Sequence, residues 1–223
     1  MKRVQWVLVA VMCACLSPVV FGQMGGMNFF KKPNIADIFN PTVGMGAEYQ
    51  STDKDDKTTK VMEMTIVGKE MVDGKEGYWM EFSHAEHDGK TMYGKVLVTK
   101  DDFQMHKMIV MMPGSPQPIE MPFSADNHAK QNMDEEMQKW HSVGSETITV
   151  PAGTFLCDHW TKDSGKGDVW ISSKVSPMRL VKSVDNNQTM VLSKIITDAK
   201  DHITGTPMKF DPQMMRQMHK PQQ

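Results

Sequence analysis

From Val43 onward the chain alternates apolar and polar side chains, and this period of two restricts it to extended, paired strands more tightly than any other feature. Met62, Met64 and Ile66 point one way while Glu63 and Thr65 point the other. Tyr78, Met80 and Phe82 alternate with Glu81 and Ser83. Met105, Ile109 and Met111 alternate with His106, Met108 and Val110, so this segment is apolar on both faces. Asp73-Gly74 and Asp88-Gly89 fall between such runs, and Asp-Gly suits the positive-φ positions of a type I′ hairpin. Pro113-Gly114, Pro151-Ala152-Gly153 and Asn186-Asn187 punctuate the later segments. Further strands are expected near 146–150, 154–162, 167–173, 178–185 and 188–197. Short strands at this spacing read as an antiparallel meander.

Two stretches depart from that rhythm. Ile35, Ile38 and Phe39 fall on one helical face behind Pro33, predicting a short amphipathic helix within the segment 23–42. Ala129, Met133, Met137 and Trp140 recur at helical spacing opposite Lys130, Asp134, Glu135 and Gln138, with Ser124 or Asp126 able to cap the start. The expected fold is mainly β (α+β): a curved antiparallel sheet or unclosed β-barrel over 43–200, with the N-terminal helix and the helix inserted near 125–140 on its concave face. A plain β-sandwich is the competing architecture. Residues 201–223 are polar, proline-punctuated and Met-rich, and read as a flexible tail.

The first 22 residues carry an address. Met1-Lys2-Arg3 is a basic n-region, Trp6 to Val20 is apolar, and Val20-Phe21-Gly22 presents a cleavage site before Gln23. This is the pattern of a secretory signal peptide, too short to span as an anchor. The expectation is export to the periplasm, with secretion as the alternative and no transmembrane segment in the mature chain. Loss of Lys2 and Arg3 leaves 23 basic against 27 acidic side chains, a net charge of −4. A mildly acidic chain with dispersed lysines has no footprint for nucleic acid and no polybasic cluster for anionic membranes. Cys13 and Cys15 belong to the leader, so Cys157 alone remains and no intramolecular disulfide is possible. Stability therefore rests on a core, for which about 200 residues suffice.

The segment Gly144-Ser-Glu-Thr-Ile-Thr-Val-Pro-Ala-Gly-Thr-Phe155 is followed by Gly167-Asp-Val-Trp-Ile-Ser172 and Pro177-Met-Arg-Leu-Val-Lys-Ser183. In this order they resemble a pattern in exported bacterial proteins of unknown function, similar to the periplasmic lipoprotein-carrier (LolA/LolB-like) superfamily. The resemblance implies an unclosed antiparallel barrel whose helices plug an apolar cavity that holds acyl chains. Pro151 fixes φ and ends one strand, Gly153 supplies the bend, and Phe155 re-enters the apolar layer.

Methionine is the compositional outlier, with 23 in the chain. Met62, Met64, Met80, Met105 and Met111 fill apolar strand positions, either as adaptable core or as the lining of a pliable cavity shared with Phe82, Leu97 and Ile109. Met133, Met137 and Trp140 on the inserted helix would form its lid. A third reading is a soft-metal site for Cu(I) at the ends, from Met24-Gly-Gly-Met27 and Met214-Met215-Arg-Gln-Met218-His219. His84-Ala-Glu-His87 with Asp88 reads as a solvated hairpin, because strand geometry sends the two imidazoles to opposite sides. Cys157 and His159 share a strand face, but nothing recognisable orients a base or supplies an oxyanion site, so Cys157 reads as a small buried hydrophobe. No Gly-x-Ser-x-Gly elbow, His-Glu-x-x-His or phosphate-cradling loop is present. The sequence therefore points to a non-enzymatic periplasmic binding or carrier protein for an apolar ligand such as a lipid or acyl chain, without a cofactor. The rivals are a copper-binding protein and a structural envelope protein that meets other envelope proteins.

Overall fold

The computed structural model describes residues 34–211 apart from 56, 86–88 and 123–133. Twelve strands follow in chain order: β1 (Gly46–Asp53), β2 (Thr59–Val72), β3 (Lys75–Ala85), β4 (Thr91–Thr99), β5 (Met105–Met111), β6 (Ile119–Met121), β7 (Trp140–Val150), β8 (Gly153–Lys162), β9 (Gly167–Ile171), β10 (Leu180–Asp185), β11 (Gln188–Ile196) and β12 (Met208–Lys209). They form one curved, unclosed sheet in the order β12-β6-β5-β4-β3-β2-β1-β11-β10-β9-β8-β7. Two meanders, β1 to β6 and β7 to β11, are joined where β1 pairs antiparallel with β11. Among the described strands, β12 alone runs parallel to its neighbour. A mainly β, curved and unclosed sheet is what the alternation and the motif resemblance led us to expect.

Local chemistry explains the hairpins. Asp73 and Gly74 adopt φ of 50° and 79°, so Val72 can pair with Lys75 across a two-residue turn that matches the strand twist. Pro151 and Ala152 turn β7 into β8, with Val150 opposite Gly153. Gly94 lies opposite Phe82, where an added Cβ would meet the ring at 2.4 Å. The absent side chain is therefore what lets the phenyl ring lie flat across the neighbouring strand.

The helix α1 (Ile35–Ile38) starts at Asn34, whose side chain accepts from the Ala36 N–H. Pro33 lies outside the described residues. Ile35 and Phe39 are buried against Ile66, Tyr78, Val96, Val98 and Phe103, and the Phe39 ring meets Phe103 and Tyr78 edge-on. By strand alternation this face of β2 to β4 is the inner one, and α1 plugs it. A second cluster of Ala47, Tyr49, Val150, Phe155, Cys157, Val175, Val181 and Leu192 fills the other half. Tyr49 is 1 % exposed, and its hydroxyl donates to Leu180 O at 3.1 Å.

Two expectations need correction. The helical reading ran through Trp140, yet of the described part of that stretch only 134–137 are helical, and Trp140 already belongs to β7, paired with Lys162. Helical spacing of apolar residues over a short window does not locate the end of a helix when a strand follows directly. The second correction concerns residues 201–223. Residues 201–211 form an ordered strap across the outer face of β3 and β4; 212–223 lie outside the described residues. Lys95 Nζ donates to Asp201 Oδ2 at 2.6 Å and to Ile203 O at 2.8 Å, and Ile203 is 2 % exposed. The His202 N–H donates to Glu81 Oε2 at 3.0 Å, and the His202 ring stacks on Tyr93 at 4.6 Å. Burial pushes the Glu81 carboxyl above its ordinary range, and the His202 contacts offset only part of that rise. The strap ends in β12, which pairs with β6. Polar composition suggested looseness; burying one isoleucine and matching buried charges holds the segment instead.

Candidate functional site: an apolar cavity at the second meander

A cavity of about 340 Å³ opens on the sheet beside α1. Among the described residues it is lined by Ile38 of α1, Met137 of the 134–137 turn, Trp140, Trp160, Val169, Ile171, Met178 and Leu180, with Glu136 and Ser183 as its polar members. The sheet register explains the grouping. Trp160 pairs with Val169, and Val169 with Ser183, giving a row across β8, β9 and β10. Ile171 pairs with Leu180 in the next row, where a register shift between Leu180 and Lys182 bends the sheet. A surface this apolar, of a size at the lower end of ligand sites, is suited to hydrocarbon.

The loop from β9 to β10 builds one wall. Ser172 N donates to Arg179 O, Val175 N to Ser172 O and Arg179 N to Val175 O, with Arg179 at φ 56°. Asn40 N donates to Pro177 O and the Asn40 side-chain amide to Ser173 O, tying the end of α1 to this loop. Met178 touches both the cluster under α1 and the cavity. Helix, loop and sheet thus hold the cavity from three sides.

Its charged rim is built from paired groups. Lys139 Nζ donates to Glu136 Oε2 at 2.8 Å, and Lys162 Nζ donates to Glu136 Oε1. Hydrogen bonds from these two ammonium groups hold the Glu136 carboxyl down at about 2. Lys162 Nζ also sits 5.7 Å from the centre of the Trp140 ring. Asp163 N donates to Lys139 O, and Asp163 Oδ1 lies 2.8 Å from His141 Nδ1.

The residues singled out from the sequence are dispersed. Met137 and Trp140 line the cavity, while Met133 lies outside the described residues. Met62 and Met64 pack against the cluster around Tyr49 and Leu192. Met80, Phe82 and Met105 pack against the cluster that α1 plugs. Leu97 is fully buried between Val96 and Val98, and alternation sends it to the opposite face. Ile109 pairs with Lys95 and Met111 with Tyr93, which puts them on that same outer face. Eight of the eleven grouped side chains therefore do not meet at the described cavity. Trp160, Val169, Ile171, Met178 and Leu180 were missed, because those in strands meet through strand register, which the helical reading of Trp140 concealed.

The other candidates resolve simply. Cys157 is 1 % exposed, and burial pushes its thiol up to about 11, far from a thiolate nucleophile. His159 on the same strand has Nδ1 3.0 Å from Glu146 and Nε2 2.9 Å from Asp168, and stacks on Trp170 at 4.4 Å. Trp170 Nε1 donates to Glu146 Oε1 at 2.6 Å. This cluster ties β7, β8 and β9 together. His84 lies in β3, one residue before its end at Ala85, and His87 and Asp88 lie outside the described residues, as do the Met and His residues of both ends. No group of three or more His, Cys, Asp or Glu side chains converges as a metal site among the described residues. No described helix is long and apolar enough to cross a membrane.

No protein-family profile and no curated protein matches the chain. Solved structures are similar to it at low identity. One is a protein from Bacteroides fragilis assigned as exported, with a YmcC-like fold, at 13% identity and a TM-score of 0.40, covering 71% of this chain and 98% of that one. MucB is similar at 9% identity and a TM-score of 0.38, covering 77% of this chain and 60% of that one. A LolA superfamily protein from Nitrosomonas europaea is similar at 11% identity and a TM-score of 0.30, covering 77% and 94%. These likenesses concern the fold alone.

Proposed function

We propose that this chain is an exported, non-enzymatic binding or carrier protein that holds the hydrocarbon part of a lipid or acylated molecule in the cavity between α1, the 134–137 turn and strands β8 to β10. One observation carries the reading: about 340 Å³ of space bounded almost wholly by Trp, Met, Ile, Leu and Val side chains. Each methylene moved from water into such a site contributes ~0.8 kcal/mol. A chain of roughly ten carbons would gain about 8 kcal/mol, against an association cost of 4 kcal/mol or more. The net gain of about 4 kcal/mol or less corresponds to reversible binding with a Kd of roughly 1 mM for the chain alone, which suits a molecule that must also release its cargo. Met137 and Met178 adapt the walls to chains of differing shape, since unbranched thioethers repack at low cost. The periplasm is the compartment where such cargo and a signal peptide meet.

Lipid-stripped protein mixed with a fluorescent acyl probe tests this. Saturable binding that quenches Trp140 and Trp160 emission supports the reading. Absence of saturable binding, together with no acyl material extracted from vesicles, ends it.

A further inference from the structure

The rim of the cavity indicates the head group of its ligand. Glu136 lines the cavity and accepts hydrogen bonds from two ammonium groups, Lys139 at 2.8 Å and Lys162. Each ammonium carries three donors, so the pair offers six N–H groups to one carboxylate. Lys162 is held in place from below by the Trp140 ring, itself part of the apolar wall. The cation therefore stands where hydrocarbon ends and water begins. Of the nearby acids, Asp163 faces His141, and Glu135 adds its negative field at Lys139.

Resting on the proposed acyl-binding role, we infer that the ligand is an anionic amphiphile, and that Glu136 occupies the place its acidic head takes. A carboxylate or phosphate head arriving at the rim meets two cations already gathered and exchanges for Glu136. Glu136 then moves to solvent, freeing the 134–137 turn from its hold on β8. A cationic head meets two like charges, and a neutral ester leaves the Lys–Glu–Lys arrangement in place. Head selection is thus a competition between an internal and an external anion for the same lysines.

Laurate, methyl laurate and dodecylamine share one chain and separate the head-group term from the apolar term. With the full mature chain at low salt, laurate is expected to bind about two-fold more tightly than methyl laurate, less than the roughly five-fold of one exposed ion pair because the Glu136 pair is given up in exchange. The preference should shrink at high salt. E136Q should strengthen laurate binding without changing that of the ester, because the internal competitor is gone. K162M should bring laurate and ester to equal affinity. Equal affinity of wild type for laurate and methyl laurate, or an E136Q chain with unchanged laurate affinity, overturns the head-group assignment while the cavity still binds chains. Failure of all three probes to bind overturns the acyl-binding role itself. The wild-type ratio and E136Q decide the matter even where K162M does not fold.

Discussion

Replacing Val169 with Phe should stabilise the protein and weaken its binding in the same stroke. Val169 lies in β9 between Trp160 and Ser183, and all three face the cavity. The added ring fills on the order of 50 Å³, and cavity space costs roughly 24 cal/mol per Å³, so about 1 kcal/mol is recovered. Contact with the Trp160 ring adds about 0.5 kcal/mol or more. Part of this is lost because the cavity opens to solvent. A net gain of about 1 kcal/mol raises the melting temperature by roughly 2–4 °C in a chain of this size. The same volume is denied to about two methylenes of ligand, costing ~1.6 kcal/mol of affinity, a little over ten-fold. Calorimetry and titration with an acyl probe read the two effects. Leu97→Ala is the control: Leu97 is fully buried in β4 of the first meander, away from β8 to β10, so the truncation should cost ~2–5 kcal/mol of stability and leave affinity unchanged. V169F protein that binds the probe as wild type does would refute the placement of the site.

Other outcomes follow from single contacts. Burial pushes the Asp102 carboxyl up, but hydrogen bonds from Lys75, Thr99 and the Gln104 N–H outweigh it and hold it at about 2. Its contribution is therefore full above the ordinary value of 3.8 and lost as pH falls toward about 2. Asp102→Asn should cost on the order of 1–2 kcal/mol at pH 7, and urea titrations should show the difference from wild type closing below pH 4. Cys157 should resist thiol reagents at pH 8 in the native protein and react at once in denaturant; rapid native labelling would contradict its burial. Gly46→Ala should destabilise more than Gly94→Ala. At Gly46 a Cβ meets Met64 O at 2.6 Å and Thr65 Cα at 2.8 Å, both backbone, whereas at Gly94 only the Phe82 ring has to swing.

The strands were legible because their signals are local. Asp73-Gly74 and Pro151-Ala152-Gly153 set turns by φ preference, and alternation of apolar side chains between them sets the faces. The Ile35, Ile38 and Phe39 spacing behind Pro33 likewise declared α1. The cavity was not legible for a different reason. Alternation tells which side chains share a face, but not which part of that face a helix fills. Once α1 covers Ile66, Tyr78, Val96 and Val98, methionines such as Met80 and Met105 become packing around the plug. The open ground lies across β8 to β10, where Trp160, Val169 and Leu180 come together through register alone. The strap was hidden by distance: His202 meets Glu81 across 121 positions of chain, and no local pattern announces that partner. Polar residues in a tail look solvated until the buried charge they serve is known.

Native mass spectrometry of the protein drawn gently from the cells that make it is the most direct test of acyl binding. A bare mass is expected together with heavier species whose excess is that of acylated molecules, lost on organic extraction and depleted in V169F. A single bare mass from wild type, unchanged after incubation with membrane lipid, would contradict it.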